Sequence, residues 1–348
     1  MTMSRPRRLG GVLLALTVTS GLLVAAAATA APAGASGGSL TVYSGQHIQT
    51  TQALVNAFEK KTGIKVSVRF DDEDVLANQL ATEGSHSPAD VFFTENSPPL
   101  QFLASKHDLA RVKASTLAQT PSKYNSPKGL WAGVSARTSV MVYNPSLIKA
   151  SQLPTSVLQL SQPQFKDKIA LAGGETDFQP IVTSVDRTVG NTAALKWLEG
   201  LKANAESHQY PDNETVVDEV NRGQVALGLI NQYYWWRMQA EIGKSNVHSA
   251  LAYFAPRDPG WVIDVSGAGI MRSSQHQAEA QRFVAFLTSK AGQEIIAHSS
   301  SYEYPIASGV TTAAPETPFD QLQPATISIA QLGTGAEAIK LLQEAQLL

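Results

Sequence analysis

An α/β protein built in two lobes is what this chain predicts, on three observations. Strand and helix signals alternate from Leu40 onward, and that order favours a largely parallel sheet with helices on its faces. The chain has 348 residues, enough for two lobes with separate cores once an N-terminal segment is set aside. It contains no cysteine, so packing rather than a disulfide framework must hold those cores.

Leu40–Tyr43 reads as a short strand, and Ile48–Lys61 as a helix with Leu54 and Phe58 at helical spacing and Gly63 at its end. Lys65–Phe70 alternates with period two, as a half-buried strand does. A helix around Val75–Ala81 and a strand over Ala89–Phe93 complete a βαβαβ order. Further on, Ser139–Tyr143 and Lys168–Leu171 read as strands, and Thr192–Ala203 as a helix carrying Leu195, Leu198 and Leu201. Asn213 is expected to cap a helix ending near Gly223. Gln224–Ile230 is then a buried strand, Tyr233–Ile242 a helix, and Ala250–Phe254 and Trp261–Val265 are strands. Gln275–Ser289 is amphipathic, with Ala278, Phe283, Phe286 and Leu287 on its apolar side. The Pro-, Thr- and Ala-rich tail from Ala313 to Gly333 is expected on the surface, before a last helix over Gly335–Leu347. The backbone is expected to cross between lobes near Val140–Tyr143 and Val262–Val265. That puts residues 36–138 and 266–315 in an N-lobe, and 139–265 and 316–348 in a C-lobe.

Residues 1–35 read as an export signal. Arg5, Arg7 and Arg8 precede an almost wholly apolar run, Leu9–Ala28, and Ala28-Thr29-Ala30 and Ala33-Gly34-Ala35 are candidate cleavage triplets. The run is long enough for a permanent anchor, but its small-residue end favours removal. An exported, extracytoplasmic protein is expected, without the lipid tether that a lipobox cysteine would carry. Removing residues 1–35 leaves 24 basic against 29 acidic side chains, a formal charge of −5. That mild acidity argues against nucleic-acid or anionic-membrane partners. The seven histidines show no HExxH or other short zinc spacing.

Candidate binding residues collect just beyond strands, where open α/β sheets gather ligand sites. His47 follows the first strand in Gly45-Gln46-His47, and Glu95 follows Ala89–Thr94. Tyr233 and Tyr234 stand at a strand-to-helix junction in Asn231-Gln-Tyr-Tyr-Trp-Trp-Arg237. Each has a plainer reading: an exposed first-turn histidine, a solvated loop acid, and an aromatic run that packs or stacks on a sugar. Adjacent side chains of a regular helix diverge by ~100°, so the tyrosines are expected to share one ion only where the backbone is not yet uniform. Ionising two phenols near neutral pH costs ~8 kcal/mol. A small trivalent ion justifies that cost through hard-oxygen bonds and its own field. Two phenolates and one carboxylate balance Fe³⁺, and His47 adds a neutral nitrogen. Zinc sites favour Cys and His, and calcium favours several carboxylates and carbonyls.

These residues and several flanking motifs resemble one family. The motifs are Val42-Tyr-Ser-Gly-Gln-His47, Pro88-Ala-Asp-Val-Phe-Phe-Thr-Glu95, Leu229-Ile-Asn-Gln-Tyr-Tyr-Trp235, Ser266-Gly-Ala-Gly269, Ala278-Glu-Ala-Gln-Arg-Phe-Val284 and Glu303-Tyr-Pro305. From Leu40 to about Pro305 the chain resembles the bacterial ferric-ion-binding proteins of ABC iron importers, transferrin-like members of the type II periplasmic binding proteins. The resemblance implies a two-lobed periplasmic-binding-protein fold, each lobe a mainly parallel sheet flanked by helices, joined by two crossing strands. It implies His47 and Glu95 as metal ligands from one lobe and Tyr233 and Tyr234 from the other. Asn213 and Asn231 match positions that help hold a synergistic anion, and Asn96 falls where a glutamine often has that role. The turn that cradles this anion in the family aligns with Glu175-Thr176-Asp177. Two carboxylates there would repel an anion, so Asp177 is a candidate to fill the place itself, and Arg137 a candidate to recruit an anion from another side.

The expected function is a monomeric extracytoplasmic carrier that hands Fe³⁺ to an ABC permease. The alternative is a protein of the same fold for an organic solute. In that reading Trp131, Trp235, Trp236 or Trp261 would stack a sugar, or Asp258 or Asp264 would pair a polyamine. An enzyme is not expected: Ser146-Leu-Ile-Lys149 is a lone S-x-x-K, with no nucleophile elbow, P-loop or zincin motif beside it.

Overall fold

The structure, a computed structural model, describes residues 38–348; the export signal expected over residues 1–35 lies outside them. The described chain opens with β1 (Ser39–Ser44), α1 (Ile48–Thr62), β2 (Lys65–Phe70), α2 (Glu73–Glu83) and β3 (Val91–Thr94). β2 and β3 flank β1 in parallel, with Val42 opposite Val68 on one side and Val91 on the other. Gly63 takes φ 73° and its N–H reaches the Glu59 carbonyl, which stops α1 where a glycine was expected to. The third strand begins at Val91 rather than Ala89. Just before it, Asp90 still donates its N–H to the Thr41 carbonyl at 2.8 Å, and its side chain accepts from Thr41 N at 2.8 Å and Ser274 Oγ at 2.5 Å.

α3 (Ser97–Ser105) follows, with Pro98 and Pro99 in its first turn, where proline's missing N–H has no helical partner to lose. After α4 (Ala114–Leu117), β4 runs the full length of Trp131–Tyr143, far beyond the expected Ser139–Tyr143. Its residues are buried on both faces up to Val142, so no polar alternation marks it, and Ser135, Arg137 and Thr138 interrupt the apolar run that would otherwise give it away. Next come β5 (Ile169–Ala170), α5 (Gln179–Val189), α6 (Asn191–Asn204), α7 (Asn213–Asn221), β6 (Leu227–Asn231), α8 (Gln232–Ile242), β7 (Ala250–Ala252) and β8 (Ile263–Ile270). The chain closes with α9 (Gln277–Thr288), α10 (Lys290–Ala297), β9 (Tyr304–Pro305), α11 (Ile329–Leu332) and α12 (Ala336–Glu344).

Asp212, not Asn213, caps α7. Its extended backbone (φ −149°, ψ 164°) lets the carboxylate accept from Thr215 N at 2.7 Å, and Asn213 becomes the first helical residue.

The strands follow one path, β2-β1-β3-β8-β4-β6-β5, with β7 and β9 pairing to β4. β4 changes partners along its length: Trp131–Thr138 pair antiparallel with β8, and Ser139–Tyr143 pair antiparallel with β6. β8 in turn joins β3 through Gly267–Ile270. Among the named strands, β1 pairs in parallel with β2 and β3, and β5 with β6, while β8 and β4 add antiparallel pairing, so both ends of the sheet are mixed. Leu54, Phe58, Phe93 and Phe283 centre a core against the first sheet region. Val140, Val216, Ile230 and Tyr233 centre one against the second. A larger apolar set including Leu76, Leu100, Trp131, Leu198 and Leu341 extends along the molecule, and α12 packs there on α5 and α6. Among the described residues, no helix is long and apolar enough to cross a membrane.

Candidate metal centre

β6 ends at Asn231, whose extended backbone (φ −86°, ψ 149°) turns the chain into α8. Gln232 pins that start: its Oε1 accepts from Thr138 N at 2.9 Å and its Nε2 donates to the Tyr302 carbonyl at 3.2 Å. Tyr233 and Tyr234 then occupy the first turn. An irregular backbone was expected to bring them together, yet the chain is helical from Gln232. The convergence comes instead from the lean of helical side chains toward the N-terminus, which lets two long phenols overhang one helix end. Their rings lie 4.2 Å apart at 35°. Both hydroxyls donate to Asp177 Oδ2, at 2.9 and 2.8 Å. Asp177 sits in the turn Thr176–Phe178 that leads into α5, and Asn96 Nδ2 donates to its Oδ1 at 3.0 Å.

The opposite wall starts at the end of β1. A Cβ on Gly45 would come within 2.5 Å of Glu73 Cβ, so this close approach needs glycine. Gln46 is buried; its Nε2 donates to Ser266 Oγ at 2.9 Å and Glu303 Oε2 at 3.0 Å, while its Oε1 accepts from His47 N at 2.7 Å. The His47 backbone is therefore fixed by its neighbour. Its Nδ1 lies 2.7 Å from Glu95 Oε1, and its ring meets Tyr233 edge-on at 5.0 Å. The buried Nε2 has no hydrogen-bond partner among the described residues. Glu95 Oε2 lies 3.3 Å from the Tyr233 hydroxyl. Glu73 braces this loop, with Oε2 accepting from Glu95 N and Asn96 N at 2.8 and 2.9 Å and Oε1 from Asn96 Nδ2 at 2.8 Å.

Arg137 lies between the walls, 1% exposed. Its Nη2 is bonded to Glu303, its Nη1 stands 3.6 Å from Glu95 Oε2 and 3.7 Å from Asp177 Oδ1, and the guanidinium lies 5.5 Å over the Tyr233 ring. Charges and burial set the protonation of this cluster. Burial raises the Glu95 carboxyl, but His47 first and then Arg137 and Arg237 outweigh it and hold it at about 2. Burial also pulls the His47 imidazole down, yet Glu95 prevails and leaves it above its ordinary value. Both phenols are pushed well above the tyrosine range, first by burial and then by Asp177 and Glu95. Burial pushes Glu73 well above the carboxylate range, helped by Asp74 and Glu95. At the rim, burial and then Asp177 push Glu175 up to about 8.

The structure thus brings His47, Glu95 and Tyr234 to one cleft of about 520 Å³, lined also by Asn96 and Asp177, while Tyr233 and Arg137 are buried behind it and reach Glu95 and Asp177. Asn213 and Asn231 are more peripheral: each borders, with Asp177, a separate small void beside the cleft. No three of His, Cys, Asp and Glu converge as a metal site among the described residues, so any cation held here depends on the phenols. That is hard-donor chemistry: phenol and carboxylate oxygens with one imidazole nitrogen. Of the six residues that would serve an organic solute, four are engaged elsewhere, and Trp235 and Trp236 do not line the cleft. Trp131 and Trp261 are core residues, Asp258 accepts from Val157 N and Gly260 N, Asp264 accepts from Ser97, and none of them lines the cleft. Glu73, Gln46 and Glu303 hold the site without standing at its centre. Of these, Gln46 and Glu303 carried a sequence signal, in Val42-Tyr-Ser-Gly-Gln-His47 and Glu303-Tyr-Pro305, but those motifs implied no role for either, and Glu73 carried none.

The bacterial extracellular solute-binding protein family matches residues 86–329. An "Fe(3+)-binding periplasmic protein" of Serratia marcescens is 38% identical over 309 residues, covering 89% of this chain and 90% of that protein. A "major ferric iron-binding protein" of Neisseria meningitidis is 37% identical over 326 residues, covering 93% and 97%. The crystal structure of iron-bound HitA from Pseudomonas aeruginosa superposes with a TM-score of 0.84 at 39% identity, over 88% of this chain and 99% of that one. A Trichodesmium protein in complex with iron and citrate gives 0.79 at 28% identity, over 89% and 100%.

Proposed function

The chain belongs to the bacterial extracellular solute-binding proteins, and on that premise we propose that it captures ferric iron between its lobes and delivers it to an ABC permease. One observation carries this reading: two phenol oxygens meet at one point, facing a carboxylate and an imidazole from the other wall. In this proposal Tyr233, Tyr234, Glu95 and His47 Nε2 bind the ion. Three anionic oxygens match its charge, and a neutral nitrogen adds a fourth bond. The surroundings raise both phenol pKa values, so ionising them costs more than the ~8 kcal/mol of free tyrosines. A strongly polarising trivalent oxygen-seeking ion meets that cost; a divalent one does so poorly. The names of the relatives point the same way.

The lobes would divide at Thr138/Ser139 and near Val265/Ser266, with residues 36–138 and 266–315 on one side and 139–265 and 316–348 on the other. The change of β4 partners after Thr138 supports this. Each lobe then holds half of the ligands, so the ion stabilises only the closed arrangement. The protein carries its solute and does not transform it, acting as a monomer outside the cytoplasm. The test is colour. Ferric phenolate absorbs visible light by charge transfer, so the loaded protein is expected to be coloured and the Tyr233→Phe/Tyr234→Phe double variant colourless. A wild-type protein that stays colourless with ferric ion bound at one equivalent overturns the proposal.

A further inference from the structure

We infer that a cavity beside the point where β4 changes partners is a second binding site, one for a small organic cation with an apolar body, an alkyl- or arylammonium. It shares no lining residue with the iron cleft, so the inference does not depend on the ferric reading. The cavity holds about 580 Å³. Tyr304 and Ile263 are part of its wall, and both pair with β4 near that point, Tyr304 opposite Ala136 and Ile263 opposite Thr138. Phe319 lines it as well, its ring 5.5 Å from that of Tyr124 and 5.1 Å from that of Tyr304. Three aromatic rings therefore gather along one lining, and the negative faces of such rings attract ammonium groups. The chain already uses this property there: Lys123 Nζ lies 4.7 Å over the Tyr124 ring.

Glu316 supplies the charge. It lines the same cavity, and both of its carboxylate oxygens are buried with no hydrogen-bond partner among the described residues. Thr312, Tyr304, Gln232 and Trp236 stand around it, yet none meets either oxygen in hydrogen-bond geometry, and the Trp236 Nε1–H is itself buried and unpartnered. Burial pushes the carboxyl up to about 7, against these neighbours, which pull it down. An ionised carboxylate so placed is costly until a donor reaches it. A water molecule meets that need but takes only ~30 Å³, and it leaves the aromatic wall without a partner. A cation with an apolar body satisfies both, with its ammonium at Glu316 and its body against Phe319 and Ile263. An anion is disfavoured, because Asp320 also lines the cavity and Lys123, the one basic residue of the lining, is engaged with Tyr124.

The experiment is a calorimetric titration with 2-phenylethylammonium, its neutral analogue 2-phenylethanol and the anionic 3-phenylpropionate. The cation is expected to bind with a Kd on the order of 1 mM or tighter, and at least about tenfold more tightly than either analogue. Glu316→Gln keeps the shape and removes the charge, so it should bind the cation about tenfold more weakly and the alcohol as wild type does. Phe319→Ala should weaken the cation and the alcohol together, which reports the aromatic wall while leaving the carboxylate in place. A thermal melt checks that each variant is folded. Unchanged cation affinity in either folded variant overturns the inference. Glu175→Gln, on the rim of the iron cleft, is expected to bind the cation as wild type does; a loss there that Glu316→Gln does not share would place the cation in that cleft and overturn the inference too. So would equal affinities for the three compounds, or no saturable binding up to about 20 mM, which leaves the cavity to water.

Discussion

The two walls of the cleft hold their donors by different means. His47 and Glu95 stand on loops after β1 and β3, and loops have no geometry of their own. Buried polar groups position them: Gln46 fixes the His47 backbone, Glu73 fixes that of Glu95 and Asn96, and Glu303 anchors Gln46. Tyr233 and Tyr234 need much less, because the first turn of α8 aims both phenols and Gln232 pins that turn to β4. A helix end supplies aim directly. A loop must borrow it from a hydrogen-bond network whose buried carboxylates each carry a desolvation cost.

The contrast is most easily broken by iron affinity. Tyr234→Phe removes an anionic oxygen and is expected to weaken ferric binding on the order of a thousandfold, while His47→Ala, which removes a neutral nitrogen, costs roughly tenfold to fiftyfold. Competition against a chelator measures both. Equal losses would mean that the walls contribute alike.

Acidity sharpens the same contrast. Binding releases both phenol protons, because the surroundings hold these groups above their ordinary values. Affinity should therefore fall about a hundredfold per pH unit on acidification. Below the raised His47 pKa an imidazolium proton must leave as well, and the slope steepens toward three. Tyr234→Phe should lower the slope by one; a wild-type slope of one or less would contradict two phenolate ligands.

Bracing comes next. Glu73→Ala leaves the Glu95 and Asn96 N–H groups without their acceptor, so it should cost roughly 3 kcal/mol of stability and about tenfold in iron affinity. Glu73 has no direct bond to the ion in this reading. Denaturant melts and chelator competition on one sample measure the pair of effects, and an unchanged melt would show that the loop stands without it.

The smallest effect belongs to Asp264, which accepts from Ser97 N and Oγ at the start of α3. Burial pushes its pKa up to about 6, against the hydrogen bonds from Ser97 and Val265 that pull it down. The folded state then holds the proton more tightly than the unfolded chain does. Stability must drop as pH rises from about 4 to about 6, and this contribution is level above that. Asp264→Asn should remove that drop, on the order of 2 kcal/mol, when melts at the two ends of the window are compared with wild type. A wild-type-like pH dependence would place the titration elsewhere.

Much of the first lobe was legible because its elements carry their own local chemistry. Leu54 and Phe58 set the period of α1, Gly63 stops it with a positive φ, and β2 alternates. β4 and β8 were read only at one end, since strands buried on both faces lose the alternation that marks a half-buried one. At the centre, the Tyr-Tyr pair announced itself by adjacency, although its convergence follows from side-chain lean rather than irregular backbone. Glu73 did not, because an acid in the first turn of a helix looks solvated until the fold lays Gly45 against it. Contacts such as Glu73 with Asn96 join residues that no local pattern links.

The placement of β8 between β3 and β4 also bears on how the molecule can be made. A ribosome delivers the chain N-terminus first, so β1, β2 and β3 emerge long before Ile263–Ile270 do. Until then β3 has an unoccupied edge, a template for pairing with other chains. A protein cut short ahead of Ile263 would thus leave the first half of the sheet with an open and adhesive edge.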